Sequence, residues 1–348
     1  MAEAGRGVSP ARFKYRRHCG AGKDGNRMTD IPLPRRATPT APKAIRDKHQ
    51  PFWVVFKQHW LLYVMLIPAL ILLGVFNYYP LWGLRIAFVK YRGIGGISNA
   101  PWVGWDNFAR FFNSRYAVQI IRNTVLIALG KMLLGQVMAI IFALMLNEVR
   151  NQWYKRSVQT MTTFPHFLSW IIIGAVMVRT LSTTGPLNKL LESLGLPMVR
   201  FLTSIPTFPW TLIFTEIWKE FGFGAIIYVA ALMAINPELY EAATVDGAGR
   251  FQRLLHITLP GIAPTIALLA CLNLGGVLNA GFEQVLVLYN SVVYETGDII
   301  DTYLFRVGFL GADYSLGTAV GMFKSAIGFL LIMISYWMAD RFANYRIF

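Results

Sequence analysis

Several charged, amide and aromatic side chains stand inside stretches of sequence that are otherwise apolar and long enough to cross a bilayer. Ionisable groups are costly at membrane depth, so they usually face cavities, ion-pair partners or another subunit. Flat aromatic rings beside hydrogen-bonding groups also suit a polyhydroxylated ligand. We take as candidate residues of a translocation path Lys131, Arg179, Glu216, Trp218, Lys219, Glu220, Asn279, Glu283, Gln284 and Lys324.

The same side chains could instead neutralise one another. Glu216 and Glu220 stand four positions apart and share a helical face, and Lys219 is next to that face. Pairing of this kind, or pairing with a second subunit, would give these charges a structural role. The sequence leaves both interpretations open for each residue.

No residue pattern of a catalytic site accompanies these candidates. Residues 20–23 superficially resemble a phosphate-binding loop but lack the earlier glycine and the following Ser or Thr. The histidines do not have the spacing of metal ligands. We therefore expect that the chain is not an enzyme and binds no cofactor or metal of its own.

The elements that must position these residues are apolar helices. Of 348 residues, 55% are hydrophobic and 15% charged, whereas a soluble domain carries about a quarter charged residues. We predict an all-α, integral membrane fold, with a basic and largely disordered segment at 1–59 and a transmembrane domain at 60–348. The predicted spans are 60–79 (stopped by Pro80), 117–146, 158–181, 210–232, 262–288 and 319–342.

The distribution of basic residues predicts the orientation of these spans. The formal net charge is +15, and many of the Lys and Arg residues lie in the first segment and in the loops 147–157 and 236–260. Basic residues favour the cytoplasmic side, so we predict that both termini are cytoplasmic, although the loop after the first span also carries several. This reading accounts for the charge through topology, without nucleic acid as a partner.

The loop 236–260 has the features of a short helix, a turn and a second helical segment. Asn236 suits an N-cap and Pro237 the first helical position. Gly247 and Gly249 allow the chain to break and turn, and Pro260 precedes the next span. In this loop the pattern resembles the EAA loop of ABC importer permeases at Glu241, Ala242, Ala243, Gly247, Ile257, Leu259 and Pro260.

A second stretch, Val103 to Phe108, is similar to the Val-Gly-x-x-Asn-Phe segment of maltose-type carbohydrate permeases. Asn123 and Thr124 open the following span, as they do in that family. The neighbourhoods of Pro80 and Pro165 look most like permeases for oligosaccharides derived from polysaccharides.

The resemblance implies a six-helix permease bundle in the bacterial inner membrane. The partners it implies are a second, homologous permease subunit, a dimeric cytoplasmic ATPase that binds ATP and Mg, an extracytoplasmic solute-binding protein, membrane lipid and an oligosaccharide substrate. In that family the short helix of the EAA loop docks in a cleft on the ATPase, which implies that Glu241 can pair with a cationic group of that partner.

Two questions stay open from the sequence. The cations at membrane depth slightly outnumber the glutamates, which is compatible with an acidic, uronate-type oligosaccharide such as an alginate fragment, and also with a neutral one. The alternative function is an ion-coupled secondary transporter, which would be indicated by an inverted internal repeat that we do not find.

Overall fold

The structure is a computed structural model and describes residues 52–91, 93 and 95–343. Those residues form helices joined by turns, with one isolated β-bridge between Val89 and Trp102. The predicted all-α fold is confirmed for this part of the chain. Most of the predicted basic segment 1–59, together with residues 344–348, lies outside the described residues.

The chain divides into two compact units, Met1–Met65 and Leu66–Phe348. The described part of the first unit contains α1 (Phe52–Gln58) and the beginning of α2 (Trp60–Leu73). The second unit contains every candidate path residue and the whole 236–260 loop, so the site can be described within it.

The first predicted span does not stop at Pro80. After α2 come a π-helical turn and a 3-10 helix, Tyr79–Phe88, so that the candidate span covers Trp60–Phe88. Pro80 lies in the first turn of the 3-10 helix, where a missing backbone N–H leaves no hydrogen bond unmade. The predicted stop was wrong for this reason.

The segment after this span is fixed by buried side-chain hydrogen bonds, and it contains α3 (Asp106–Phe112). Asn107 is buried, and its amide donates to the carbonyls of Ala87 (2.9 Å) and Val89 (3.1 Å). Ser315 Oγ also donates to the Val89 carbonyl, at 2.7 Å. The asparagine of the family-like segment therefore joins this segment to the preceding chain.

The second predicted span is confirmed as α4 (Ala117–Glu148), one continuous helix. It is followed by α5 (Gln152–Thr163), whose N-cap Asn151 accepts hydrogen bonds from the backbone N–H groups of Trp153 and Tyr154. Those two aromatic side chains are exposed, as is typical of residues at a membrane interface.

The third predicted span, 158–181, is not one straight helix. A 3-10 turn, Phe164–Phe167, ends α5, and α6 (Trp170–Thr180) then continues at 104° to the preceding segment. Pro165 has no backbone N–H to donate, and Leu168 is extended, so the helical hydrogen bonds are interrupted here. The prediction of an unbroken span is corrected on this point.

The fourth predicted span corresponds to one helix, α8 (Phe208–Met233), which follows the short helix α7 (Pro186–Ser193) and is a candidate span as part of a bent pair with the next helix. α8 packs closely along α4. The contact is tight at Gly130, where an added Cβ would lie 2.5 Å from Ile213 Cδ1. The next helix, α9 (Pro237–Val245), leaves the axis of α8 at 67°.

The fifth predicted span, 262–288, starts and ends earlier than expected. α10 (Arg250–Arg253) runs through a π-helical turn into α11 (Leu259–Gly275), and α12 (Phe282–Leu288) is a separate helix. Gly281 lies in the intervening turn with φ 85°, a conformation that favours glycine. The chain therefore turns inside the predicted span.

The sixth predicted span, 319–342, falls in α15 (Tyr314–Ala343). It is preceded by α13 (Tyr294–Gly297), α14 (Ile300–Tyr303) and a π-helical stretch. The described residues provide four straight candidate spans, or up to six if each of two bent pairs is one span. The predicted orientation of the termini stays a prediction.

Candidate functional site

A groove of about 390 Å³ lies between α4, α8 and the residues of α11 and its following turn. The small side chains of Gly135, Ala139 and Gly224 leave this space open. Its polar lining residues are Lys131, Gln136, Glu216, Glu220, Tyr228, Asn273 and Asn279. The groove thus brings together Lys131, Glu216, Glu220 and Asn279 of the predicted path.

Lys131 is the buried cation of this groove. Its Nζ donates to the Ala280 carbonyl at 2.6 Å and to the side-chain oxygen of Gln284, and lies 3.8 Å from Glu216 Oε2. A Cβ at Gly281 would lie 2.6 Å from the same Nζ and would displace it, and the φ of 85° also favours glycine where the turn passes the lysine. The Lys131 side chain is therefore held in one place by α8, α12 and the turn.

Glu216 has an unused acceptor beside this lysine. Its Oε2 is buried and accepts no hydrogen bond from the residues that the structure describes. A buried carboxylate oxygen without a donor is unfavourable, and such groups usually face a water or a ligand hydroxyl. This oxygen lies 3.8 Å from Lys131 Nζ and is enclosed by the bundle, so the ion pair with the lysine is its interaction.

Gln284 does not line the groove, although the sequence placed it in the path. Its side chain is fully buried, and its Nε2 donates to the Leu212 carbonyl and to Thr215 Oγ1, both at 2.7 Å. All of its hydrogen bonds go to neighbouring protein groups, so it fixes α12 against α8 and orients Lys131.

A second ion-pair cluster ties α8 to the break between α5 and α6. Lys219 Nζ lies 2.6 Å from Glu220 Oε1 and donates to the His166 carbonyl at 3.1 Å. The other oxygen of Glu220 lies 2.6 Å from His166 Nδ1, and the imidazole stacks on Phe223 with ring centroids 3.8 Å apart. The cluster holds the bend that Pro165 creates.

Lys324, the third lysine of the predicted path, also forms an ion pair. Lys324 Nζ lies 2.7 Å from Asp301 Oδ1 and donates to Asn279 Oδ1 at 2.9 Å. Lys131, Lys219 and Lys324 thus each have a carboxylate within ion-pair distance. The predicted slight excess of cations came from a comparison with the glutamates only. Asp301 is a further carboxylate that pairs with Lys324, so the predicted excess is corrected.

Six predicted path residues do not line the groove. Lys219, Gln284 and Lys324 belong to the hydrogen-bonded clusters described above, and the other three lie apart from them. Trp218 is exposed on another face of α8, Arg179 is exposed at the end of α6, and Glu283 is exposed at the start of α12. Glu283 and Arg179 make no ion pair with any residue that the structure describes. These side chains face the surroundings of the chain and not its own groove.

The 236–260 loop forms a protruding helix. Asn236 Oδ1 accepts from the backbone N–H of Glu238, which confirms the predicted N-cap of α9. Glu241 and Ala242 are exposed, and Ala243 is half-buried. Gly247 has φ 78°, which confirms the predicted turn. Below the helix, a pocket of about 410 Å³ is lined by Ala243, Asp246, Gly247, Ala248, Gln252, Arg253, His256 and Ile257.

Two hydrogen bonds join α9 to the helix that enters the membrane. Tyr240 Oη and Thr258 Oγ1 lie 3.0 Å apart, and Arg253 donates to Thr244 Oγ1 at 3.0 Å. Leu259 is partly buried and packs against the cluster that joins α4, α8 and α11, while Pro260 is exposed in the first turn of α11. α9 is therefore linked by hydrogen bonds to the start of the span that contains α11.

Sequence reasoning missed three site residues, each with a weak signal. Gln136 stands alone in an apolar stretch and donates to the Ile266 carbonyl at 2.9 Å, so its polarity could have marked it. His166 follows Pro165, which signalled the break. Asp301 lies between predicted spans, and nothing local in the sequence distinguishes it from a residue of a loop.

A bundle of apolar helices with paired charges around a polar groove, and with a short helix protruding from it, defines a membrane transport subunit. Residues 135–344 match the family described as the inner membrane component of binding-protein-dependent transport systems, and the chain belongs to this family. It is therefore a multi-pass inner membrane component, the permease subunit of an ABC importer, and not an enzyme. The alternative of an ion-coupled secondary transporter is excluded.

Relatives match nearly the whole chain. Protein LplB of Bacillus subtilis is 40% identical over 88% of this chain and 97% of its own length. The polygalacturonan/rhamnogalacturonan transport system permease YteP of the same species is 37% identical over 87% and 95%. A chain of a bacterial alginate ABC transporter, solved in complex with an alginate pentasaccharide-bound periplasmic protein, is 40% identical with a TM-score of 0.78, covering 86% of this chain and all of that chain.

Proposed function

We propose that this permease imports carbohydrate, and that its substrate is an acidic, uronate-type oligosaccharide. The observation that carries the proposal is the full-length similarity to a chain of the alginate transporter and to a permease named for polygalacturonan and rhamnogalacturonan. Both named substrates are polymers rich in uronic acids. The groove between α4, α8 and α11 is the proposed half of the path contributed by this chain.

The lining of the groove supports a polyhydroxylated ligand. Glu216, Asn273 and Asn279 line it, and the two asparagine side chains are exposed, so the groove offers both donors and acceptors to the hydroxyl groups of a sugar. Phe221 adds an apolar ring to the same wall. This combination of a few polar groups with an apolar face is typical of carbohydrate sites.

The acidic part of the proposal rests on the relatives and not on spare positive charge. Lys131, Lys219 and Lys324 already have carboxylate partners. A uronate in the groove would therefore interact with a lysine that it shares with a glutamate or aspartate. Arg179 is the one cation of the predicted set that has no ion pair in the described part of the chain, and it lies at the end of α6.

The proposed partners follow from the same family. A second permease subunit would complete the path, a dimeric ATPase that binds ATP and Mg would drive it, and an extracytoplasmic binding protein would deliver the sugar. The proposed coupling element is α9, because it protrudes with Glu241 exposed and is hydrogen-bonded to the start of the α10–α11 span.

Uptake measurements test the substrate class. Cells that lack this chain and cells complemented with it are given labelled oligouronates, prepared from alginate and from polygalacturonate, and a neutral maltooligosaccharide of the same length. The proposal expects restored uptake of an oligouronate only. Restored uptake of the neutral sugar alone would refute the acidic class, and uptake of neither in complemented cells would refute both substrate proposals.

A further inference from the structure

A second pocket, of about 400 Å³, lies between the end of α4 and the beginning of α10. Three arginines line it: Arg150, Arg250 and Arg253. Glu148 is the one acidic residue among its lining residues, and Tyr240 and Thr258 complete the wall. The pocket is thus strongly basic, and it is separate from the groove between α4, α8 and α11.

The arginines of this pocket are not neutralised by the described part of the chain. Arg253 donates to Thr244 Oγ1, and neither Arg150 nor Arg250 makes an ion pair or hydrogen bond through its guanidinium with any described residue. Glu148 lies beyond ion-pair distance of all three. Guanidinium groups gathered without counterions favour an anionic ligand, and their planar forks match the oxygens of a phosphate.

The position of the pocket identifies the source of such an anion. One wall comes from the end of the candidate span Ala117–Glu148 and the other from the start of the candidate span Arg250–Gly275. The pocket therefore lies at the level where a membrane has its headgroups, whichever way the chain is oriented. Trp153 and Tyr154, exposed just after Arg150, are the aromatic residues expected at that depth.

We propose that Arg150, Arg250 and Arg253 form a binding site for the phosphate of an anionic phospholipid headgroup. The lipid would occupy the pocket from the bilayer, with its acyl chains along the apolar faces of the two spans. It would contact Tyr240 of α9 and Thr258 of the span, and so would lie against the hydrogen bond that joins them. The inference does not depend on the proposed sugar.

Lipid binding can be measured by native mass spectrometry of the full chain, purified in detergent with its associated subunits and titrated with phosphatidylglycerol or phosphatidylcholine. The wild-type chain is expected to bind phosphatidylglycerol preferentially. Charge-assisted hydrogen bonds from a guanidinium to a phosphate are about twice as strong as neutral ones, so the double variant Arg150→Gln, Arg250→Gln should lose roughly ten-fold or more in affinity. Arg156→Gln, an exposed arginine of α5 outside the pocket, is the matched control and should change affinity less than two-fold.

Further measurements distinguish the phosphate of a lipid from free inorganic phosphate. Inorganic phosphate should not displace phosphatidylglycerol at millimolar concentration, and displacement would assign the pocket to free phosphate instead. The variant Arg150→Lys, Arg250→Lys keeps the charge without the planar fork and should retain part of the preference. A Gln double variant that binds phosphatidylglycerol as the wild type does would overturn the proposal. If the Gln double variant no longer binds the ATPase subunit but still binds phosphatidylglycerol as the wild type does, the arginines belong to the interface with that subunit and the proposal is overturned.

Discussion

The groove and helix α9 are the two proposed functional regions, and they differ in whether their charged side chains have partners within the chain. In the groove, Lys131 and Glu216 face each other, and most polar atoms are used inside the bundle. On α9, Glu241 is exposed and has no polar partner in the described part of the chain. A charge enclosed by apolar helices needs a partner nearby, whereas a charged side chain on a surface that contacts another subunit can lack a partner within its own chain.

The comparison separates two kinds of mutational effect. Removing a charge from the groove should first damage the fold, because its partner stays buried. Changing a charge on α9 should leave the fold intact and damage only what the helix contacts.

The largest effect is expected for Lys131→Met. This change leaves Glu216 without its cation and takes the donor away from the Ala280 carbonyl and the Gln284 side chain. Loss of one partner of a buried ion pair costs about 3–5 kcal/mol, which is a large part of the stability of a domain. The measurement is the thermal unfolding of the full chain, purified in detergent.

Two companion variants sharpen that measurement. The double change Lys131→Met, Glu216→Gln should recover part of the loss, because no unpaired charge then remains. Lys189→Met, at an exposed position of α7, should stay within about 0.5 kcal/mol of the wild type. A Lys131→Met protein as stable as the Lys189→Met control would show that the buried pair is not structural.

How far the sequence could predict the site depends on the range of the interactions. The α9 loop was predicted well, since the N-cap Asn236, the glycine turn and the family pattern are all local. The pairing of Lys219 with Glu220 was one of the two interpretations that the sequence left open. The ion pair of Lys324 with Asp301 and the contact of Lys219 with the His166 carbonyl were not predicted, because they form only through the tertiary fold. The break in the third span has a local signal, which is Pro165. The hydrophobic pattern continues across it, so that pattern alone predicted one unbroken span.

The next effect concerns Glu241→Lys. The side chain is exposed and unpaired in the described structure, so the folded chain should tolerate the reversed charge. If α9 docks on the ATPase, uptake should fall at least ten-fold, along with the ATP hydrolysis that substrate stimulates. Both are measured on the reconstituted complex, with the unfolding temperature as a check on the fold.

The control for this change is Glu192→Lys, which makes the same charge reversal at an exposed position of α7. It should leave uptake and hydrolysis near wild-type values. Substrate-stimulated hydrolysis at the normal rate in the Glu241→Lys complex would refute the coupling role of α9.

The smallest effect is expected for Tyr240→Phe, which tests whether α9 acts as one body with α11. The substitution removes the hydroxyl that lies 3.0 Å from Thr258 Oγ1 and keeps the ring. One such hydrogen bond contributes about 1 kcal/mol, so uptake should fall by about five-fold at most. The bond between Arg253 and Thr244 remains, and Tyr240→Phe combined with Thr244→Val should reduce uptake further than either change alone. Tyr154→Phe, at an exposed tyrosine of α5, is the control. If the combined variant transports sugar at the wild-type rate with a normal ratio of sugar to ATP, the two hydrogen bonds do not transmit the movement of α9.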